Sequence, residues 1–200
     1  MECGQERIRR GKARQELNAA PKGQVNEAAR VKPWPRASLS GSAPGKDLEL
    51  LSAFHTAYIV DDLDEYMADA ARAGLPFRWT PLLTMTVDAW TPAGHRSFEL
   101  AGHFSLDAVD RVEIIRAVPD SPWAGSPACR VSFHHLGFWS DDLAADSARL
   151  RSMQYEMAAT DGDNPEHPGT FTLHGDPSGL GYLQLVSDSI RDALQRRLEA

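Results

Sequence analysis

The stretch His55-Thr-Ala-Tyr-Ile-Val-Asp-Asp-Leu63 returns eighty positions later as His135-Leu-Gly-Phe-Trp-Ser-Asp-Asp-Leu143. In both copies a histidine opens a short apolar run, and Asp-Asp-Leu ends it. A period this long, present only twice, does not fit a solenoid and indicates one fold unit written twice. Two such units can bury their open faces against each other. We therefore expect the two histidines to meet at the seam, where they are candidate metal ligands.

The first copy predicts a β-α-β-β-β unit. Residues 54–60 are rich in aromatic and β-branched types, as expected of a buried strand. Asp62-Leu-Asp-Glu65 has the form of a capping box, and the apolar stripe behind it stops at Gly74, which predicts a helix. Three extended segments follow at 84–91, 96–104 and 111–118, with a turn at Pro92-Ala-Gly94 after the first.

The second copy repeats this order after a Pro- and Gly-rich linker at 119–127. It predicts a strand at 134–140, a helix capped by Asp142, three further strands and a C-terminal helix at 189–199. The expected fold class is α+β, with two βαβββ modules, 52–118 and 131–188, pairing into one cupped mixed sheet with helices on the outer face. Together they make a single domain over 47–200.

The N-terminal residues 1–46 differ from this domain in charge. They carry ten Lys and Arg against four Asp and Glu, whereas 47–200 carry 11 against 24. We predict a disordered basic tail, because the segment has no sustained apolar period. It is either a nucleic-acid- or partner-binding arm or an extension without function, produced by a start codon assigned too far upstream. The acidic domain argues against a nucleic-acid-binding surface there.

Cysteine usage and hydrophobicity indicate the compartment. Cys3 and Cys129 show no paired spacing, so we expect two reduced thiols in a cytoplasmic protein. No stretch approaches the ~20 apolar residues of a membrane span, and the N-terminus has no apolar signal-peptide core. We therefore expect no membrane association.

The repeated histidine strand and Asp-Asp-Leu helix start resemble the vicinal oxygen chelate superfamily, also called the glyoxalase/bleomycin resistance/dioxygenase group. The resemblance covers about residues 52–188. Within it, Val112-Glu-Ile-Ile-Arg-Ala-Val-Pro-Asp-Ser-Pro-Trp123 is similar to the end of the first module in methylmalonyl-CoA-epimerase-like members. Asp176-Pro-Ser-Gly179, before Tyr182-Leu-Gln-Leu185, resembles the turn before the last ligand strand of the family.

The resemblance implies a divalent metal held by the first and last strand of each module. The matching positions are His55, Glu113, His135 and Gln184. Strand alternation also puts Glu113 and Gln184 on the opposite face from their apolar neighbours. Two imidazoles, one carboxylate and one amide oxygen suit Zn, Ni, Co, Mn or Fe(II) rather than an ion that prefers thiolates.

Such a site implies a metal-dependent isomerase, epimerase or lyase that polarises a carbonyl or thioester and stabilises an enolate-type intermediate. The catalytic base is then Glu113, or Glu99 in the preceding strand if Glu99 faces inward. Trp139 and Tyr182 are candidate substrate-lining residues. His134 is expected to point to the opposite face from its neighbour by alternation.

Two other functions remain open at this level. One is an Fe(II) dioxygenase of the same superfamily, since two histidines and one glutamate also form a facial triad. The other is a metal-free small-molecule binding or resistance protein. The expected partners are a small carbonyl or acyl-thioester substrate and a second copy of the chain in a homodimer. The sequence leaves open the substrate, the metal, and whether the modules pair within one chain or between two.

Overall fold

The computed structural model describes residues 53–75, 77–106 and 111–199. The predictions for the basic tail at 1–46 and for Cys3 lie outside these ranges. Cys129 is exposed and unpaired. Across the described ranges, no helix has both the length and the apolar character needed to cross a membrane.

The described elements follow the predicted order, and the α+β fold of two βαβββ modules is confirmed. The first module consists of β1 (His55–Val60), α1 (Leu63–Arg72), β2 (Leu83–Thr91), β3 (Gly94–Phe104) and β4 (Arg111–Arg116). The second consists of β5 (Val131–Ser140), α2 (Leu143–Ser152), β6 (Glu156–Thr160), β7 (Phe171–Gly175) and β8 (Tyr182–Ser187). A 3₁₀ turn, Asp188–Ile190, leads into α3 (Arg191–Glu199).

The duplicated Asp-Asp-Leu motif starts both module helices in the same way. The Asp62 carboxylate accepts a hydrogen bond from the backbone N–H of Glu65 at 2.9 Å. The Asp142 carboxylate does the same for Ala145 at 3.1 Å. Each cap satisfies an N–H that has no partner within the helix. The leucine after each cap is buried against the sheet, so the motif fixes both where the helix begins and which side it buries.

The strands form one closed sheet in the order β1-β4-β3-β2-β6-β7-β8-β5. Two seams join the modules. At the first, β1 and β5 run antiparallel from His55–Gly137 to Val60–Val131. At the second, β2 and β6 pair only at Trp90 and Thr160. Both seams lie within one chain, so the modules pair intramolecularly.

Apolar side chains pack on both sides of this sheet. Beneath α1, Leu63 packs with Val60, Ala101 and Ile114. Beneath α2, a matching cluster contains Phe138, Leu143, Leu150 and Leu185. A third cluster fills part of the space inside the sheet, and its members include Ala57, Ile59, Phe98, Ile115, Trp123 and Leu173. The two module helices therefore cover the outer face, as expected.

His174 on β7 makes the stability of the fold depend on pH. Its Nδ1 donates to the carbonyl oxygen of Tyr155 at 3.1 Å, and its buried Nε2 has no partner among the described residues. Burial lowers the pKa of His174, and the charge of Arg151 lowers it further, although the hydrogen bond to Tyr155 opposes both effects. The unfolded chain therefore binds this proton more readily than the folded protein does.

We expect the free energy of unfolding to fall as the pH drops below about 6.5, the ordinary pKa of histidine. Above that pH His174 is neutral in both states and contributes no slope. Urea unfolding between pH 7.5 and pH 5 should show a shallower pH dependence for His174→Gln than for the wild type. His167→Gln, at an exposed position, controls for the loss of a histidine. Identical slopes for wild type and His174→Gln would contradict the prediction.

Candidate metal centre

The space that the interior cluster leaves empty is a cavity of about 310 Å³. Most of its walls are apolar, with Phe54, Leu100, Phe104, Phe171 and Val186 among the lining residues. All four predicted ligands line it as well, namely His55, Glu113, His135 and Gln184. The cavity therefore combines an apolar wall with one group of convergent polar side chains, the usual make-up of a small-molecule site.

Three of these side chains converge closely. Nε2 of His55 and Nε2 of His135 are 2.7 Å apart. Oε2 of Glu113 lies 3.3 Å from Nε2 of His55 and 3.5 Å from Nε2 of His135. Both histidines are buried, and Glu113 is 17% exposed. Two imidazole nitrogens and one carboxylate oxygen aimed at a common point have the donor chemistry of a site for Zn or another borderline divalent ion.

Strand geometry explains how residues far apart in sequence meet here. Strands β4, β1, β5 and β8 are consecutive neighbours in the sheet, and each supplies one of the four side chains. On β4, Glu113 faces the cavity while Ile114 packs beneath α1. On β8, Gln184 faces the cavity while Leu185 packs beneath α2. These are the faces that alternation predicts for the two strands.

Electrostatics keep His135 in the form that binds metals. Complete burial holds the pKa of His135 well below its usual range, and the nearby His55 and His134 lower it further. A hydrogen bond to Gln184 acts in the opposite direction but does not outweigh them. His135 is therefore neutral near pH 7, and a neutral imidazole has one nitrogen with a free lone pair.

A β-bulge places His134 differently from the prediction. The register of β1 and β5 shifts so that Ala57 pairs with His135 and Tyr58 pairs with Phe133, which leaves His134 as the extra residue. Its ring lies beside that of His135, with their Nδ1 atoms 2.7 Å apart, and it is only 4% exposed. The expectation that His134 points away from its neighbour is therefore wrong, because alternation does not hold across a bulge.

The structure does not bring Glu99 to this site. Its carboxylate is exposed and accepts a hydrogen bond from the Thr86 hydroxyl at 2.6 Å. Ala101, two residues further along the same face of β3, packs beneath α1. The inward face of β3 instead carries Phe98, Leu100, Gly102 and Phe104. The condition under which Glu99 would be a base, that it faces inward, is not met.

Trp139 and Tyr182 also lie outside the cavity wall. The Trp139 ring stacks on Phe54 with a centroid distance of 4.0 Å, and the Arg191 guanidinium lies 4.9 Å from the same ring. Phe54, rather than Trp139, lines the cavity. Tyr182 packs against the interior cluster, with its ring 4.9 Å from that of His134. Both aromatic residues therefore pack against residues beside the site and do not line the cavity.

Two contributions were not anticipated from the sequence. Gly137 on β5 lies against the His55 ring, and a Cβ there would overlap Cε1 and Nδ1 and lie 2.7 Å from Nε2. The sequence contained a clue to this role, because Gly137 follows His135 by two residues and so lies on the same face of the strand, where a glycine often marks a close approach. The second contribution is the rim, where Ile190, Leu194 and Arg197 line the cavity. Arg197 also donates to the carbonyl oxygen of Thr84 at 3.1 Å, so α3 reaches across to β2.

Comparison with protein families identifies a match over most of the described domain. A model described as the Glyoxalase/Bleomycin resistance protein/Dioxygenase superfamily matches residues 54–172, more than half of the chain. Comparison with the curated proteins finds no match.

Several solved structures resemble the fold at low identity. A substituted 4-hydroxymandelate synthase from Streptomyces coelicolor is 16% identical, with a TM-score of 0.42 over 68% of this chain but only 38% of that one. Methylmalonyl-CoA epimerase from Mycobacterium tuberculosis is 14% identical, with a TM-score of 0.40 over 70% of this chain and 89% of that one. The fosfomycin resistance protein FosX from Listeria monocytogenes is 15% identical, with a TM-score of 0.24 over 74% and 98%.

Proposed function

The chain belongs to the glyoxalase/bleomycin resistance protein/dioxygenase superfamily, and from this premise we propose that it is a metal-dependent isomerase, epimerase or lyase acting beside a carbonyl or thioester. The observation that carries the proposal is the convergence of His55, Glu113 and His135 at a buried point in the cavity wall. These three side chains would hold the ion, with Gln184 as a fourth ligand. The donor set suits Zn, Ni, Co, Mn or Fe(II).

When bound, the ion would act as a Lewis acid toward a substrate carbonyl oxygen. Glu113 is the proposed base for the adjacent C–H bond, since it is the carboxylate at the centre of the site. Its Oε2 faces the two imidazoles, which leaves its second oxygen as the proton acceptor. Most of the wall around this proton transfer is apolar.

The cavity also restricts the substrate. A volume of about 310 Å³ is near the lower end for small-molecule sites, which span about 300–1,000 Å³. It accommodates a small acyl group rather than a whole coenzyme thioester. The aromatic and aliphatic walls favour an apolar substrate body whose carbonyl end lies at Glu113. The charged lining residues away from Glu113 are Arg197, Asp88 and Asp161, so that part of the cavity would favour a polar group.

Deuterium exchange tests this function without knowledge of the final product. Protein loaded with Zn²⁺ or Co²⁺ would be incubated in D₂O with a panel of short 2-oxo acids and acyl thioesters, and loss of the proton beside the carbonyl followed by NMR. We expect metal-dependent exchange for at least one compound with an apolar substituent. Metal-independent binding of these compounds without exchange would instead indicate a sequestering protein.

Glu113→Gln is expected to slow this exchange by about 10²–10⁴-fold, the usual contribution of a positioned general base. The substitution keeps the shape of the side chain and removes its proton-accepting charge. Glu99→Gln is the matched control, because Glu99 is exposed and absent from the cavity lining and should leave the exchange rate unchanged. Equal rates in Glu113→Gln and the wild type would contradict the assignment of the base.

The second candidate is an Fe(II) dioxygenase. It is favoured by the same three side chains, since two histidines and one carboxylate form the facial triad of non-haem iron oxygenases. Metal analysis combined with oxygen uptake separates the candidates. Oxygen consumption by the iron-loaded protein with a substrate would support the dioxygenase, whereas exchange with Zn²⁺ and no oxygen uptake would support the isomerase or lyase. An epimerase activity, a homodimer and a cytoplasmic location stay predictions.

A further inference from the structure

His134 does not line the cavity, yet it is buried directly behind one of the proposed ligands. Its Nε2 lies 2.8 Å from the carbonyl oxygen of Pro122, and its Nδ1 lies 2.7 Å from Nδ1 of His135. A carbonyl oxygen only accepts hydrogen bonds, so Nε2 of His134 carries a proton. The hydrogen bond to Pro122 therefore fixes the position of the proton on His134.

This fixed proton determines which nitrogen donates in the contact between His134 and His135. His134 and His135 are almost completely buried, at 4% and 0% exposure, and a positive charge on either ring would be buried against the other imidazole, which is strongly disfavoured. Both rings are then neutral, with one N–H each. Because the one proton of His134 is on Nε2, its Nδ1 is an acceptor, and the proton in the 2.7 Å contact belongs to Nδ1 of His135. Nε2 of His135 is left without a proton.

We propose that His134 is a positioning residue that sets the tautomer of His135, so that Nε2 of His135 offers its lone pair to the metal. The inference rests on the metal site proposed above and assigns His134 a role within it. Histidines that bind metals commonly donate their other ring N–H to a fixed partner. In this chain the partner is a second histidine, held in turn by a backbone carbonyl.

The groups near Nε2 of His135 show why a fixed hydrogen-bond partner at its Nδ1 is needed. Oε2 of Glu113 lies 3.5 Å from Nε2 of His135, and Nε2 of His55 lies 2.7 Å from the same atom. These acceptors would draw the proton to Nε2, where it would block the ligand position. The contact with His134 is as short as the contact with His55, but it continues to a carbonyl oxygen that can only accept a hydrogen bond. His55 shows the contrast, since its buried Nδ1 has no partner among the described residues.

Nitrogen NMR of the metal-free protein tests the inference directly. In ¹⁵N-labelled wild type, the ¹⁵N shifts of His135 should show a protonated Nδ1 and an unprotonated Nε2 near pH 7. A proton on Nε2 of His135 would overturn the inference, whatever the affinity for metal. Failure of the wild type to bind Zn²⁺ or Co²⁺ would instead overturn the proposed metal site, so the two failures are distinguishable.

A pair of variants of equal size separates positioning from packing. His134→Asn keeps an acceptor at the place of Nδ1, whereas His134→Leu has a similar shape and no acceptor. We expect Zn²⁺ affinity to fall about 10–100-fold in His134→Leu, with the proton of His135 moving to Nε2, and to recover largely in His134→Asn. Equal affinities in the two variants, with wild-type ¹⁵N shifts of His135 in both, would overturn the inference. Thermal unfolding of both variants reports their packing separately.

Discussion

The double variant His55→Ala/His135→Ala is expected to lose divalent metal almost completely. Four-ligand zinc sites have apparent binding free energies of about 10–16 kcal/mol, so an even share is roughly 3 kcal/mol for each ligand. Loss of two ligands then weakens binding by about 10⁴-fold. Metal analysis after purification and Zn²⁺ titration against a competing chelator would measure the effect.

The control removes the same number of histidines from the surface. His95→Ala/His167→Ala changes two exposed positions and should keep the metal content of the wild type. Circular dichroism of both double variants would verify that they fold. Unchanged metal content in His55→Ala/His135→Ala would place the metal elsewhere and overturn the proposed centre.

Gly137→Ala is expected to weaken metal binding about as much as loss of His55, although it changes no ligand. A Cβ at position 137 would overlap the His55 ring. The ring cannot move freely, because Phe54 and Phe104 lie at centroid distances of 4.4 Å and 5.9 Å from it. The ring must turn or the strands must separate, which typically costs about 1–3 kcal/mol of stability in a packed interior. Zn²⁺ titration and urea unfolding would measure both effects.

Two further variants isolate the cause of this effect. Gly175→Ala adds a methyl group to another strand glycine, where the nearest atom lies 3.8 Å away, and should leave metal affinity unchanged. Adding His55→Ala to Gly137→Ala removes the overlapping ring and should restore stability, a non-additive result typical of residues in contact. Wild-type affinity in Gly137→Ala would show that the His55 ring adapts without cost.

Local patterns predicted much of the fold and part of the site. The caps at Asp62 and Asp142 involve only neighbouring residues, so their hydrogen bonds follow from the Asp-Asp-Leu motif itself. The inward faces of Glu113 and Gln184 follow from alternation within short regular strands. Features that depend only on neighbouring residues within one strand or one turn can be predicted from the sequence, and the caps and the strand faces are features of this kind.

The predictions failed where the answer depends on pairing between strands. The bulge at His134 is a property of the register between β1 and β5, which the sequence of β5 alone does not reveal. The sequence of β3 alone leaves open whether Glu99 faces inward, and in the structure its carboxylate is exposed and bonded to Thr86. Gly137 matters because the His55 ring occupies the space beside it, and that contact joins two modules.

The unequal seams have a consequence for how this protein can evolve. All proposed ligands lie on the four strands around the long β1–β5 seam, while β2 and β6 meet through one residue pair on the far side. Val87, Asp88 and Asp161 border the cavity near that weaker junction. Mutation there can change which molecules enter while the chemistry is inherited intact. Descendants of this chain can thus acquire new substrates before they acquire a new reaction.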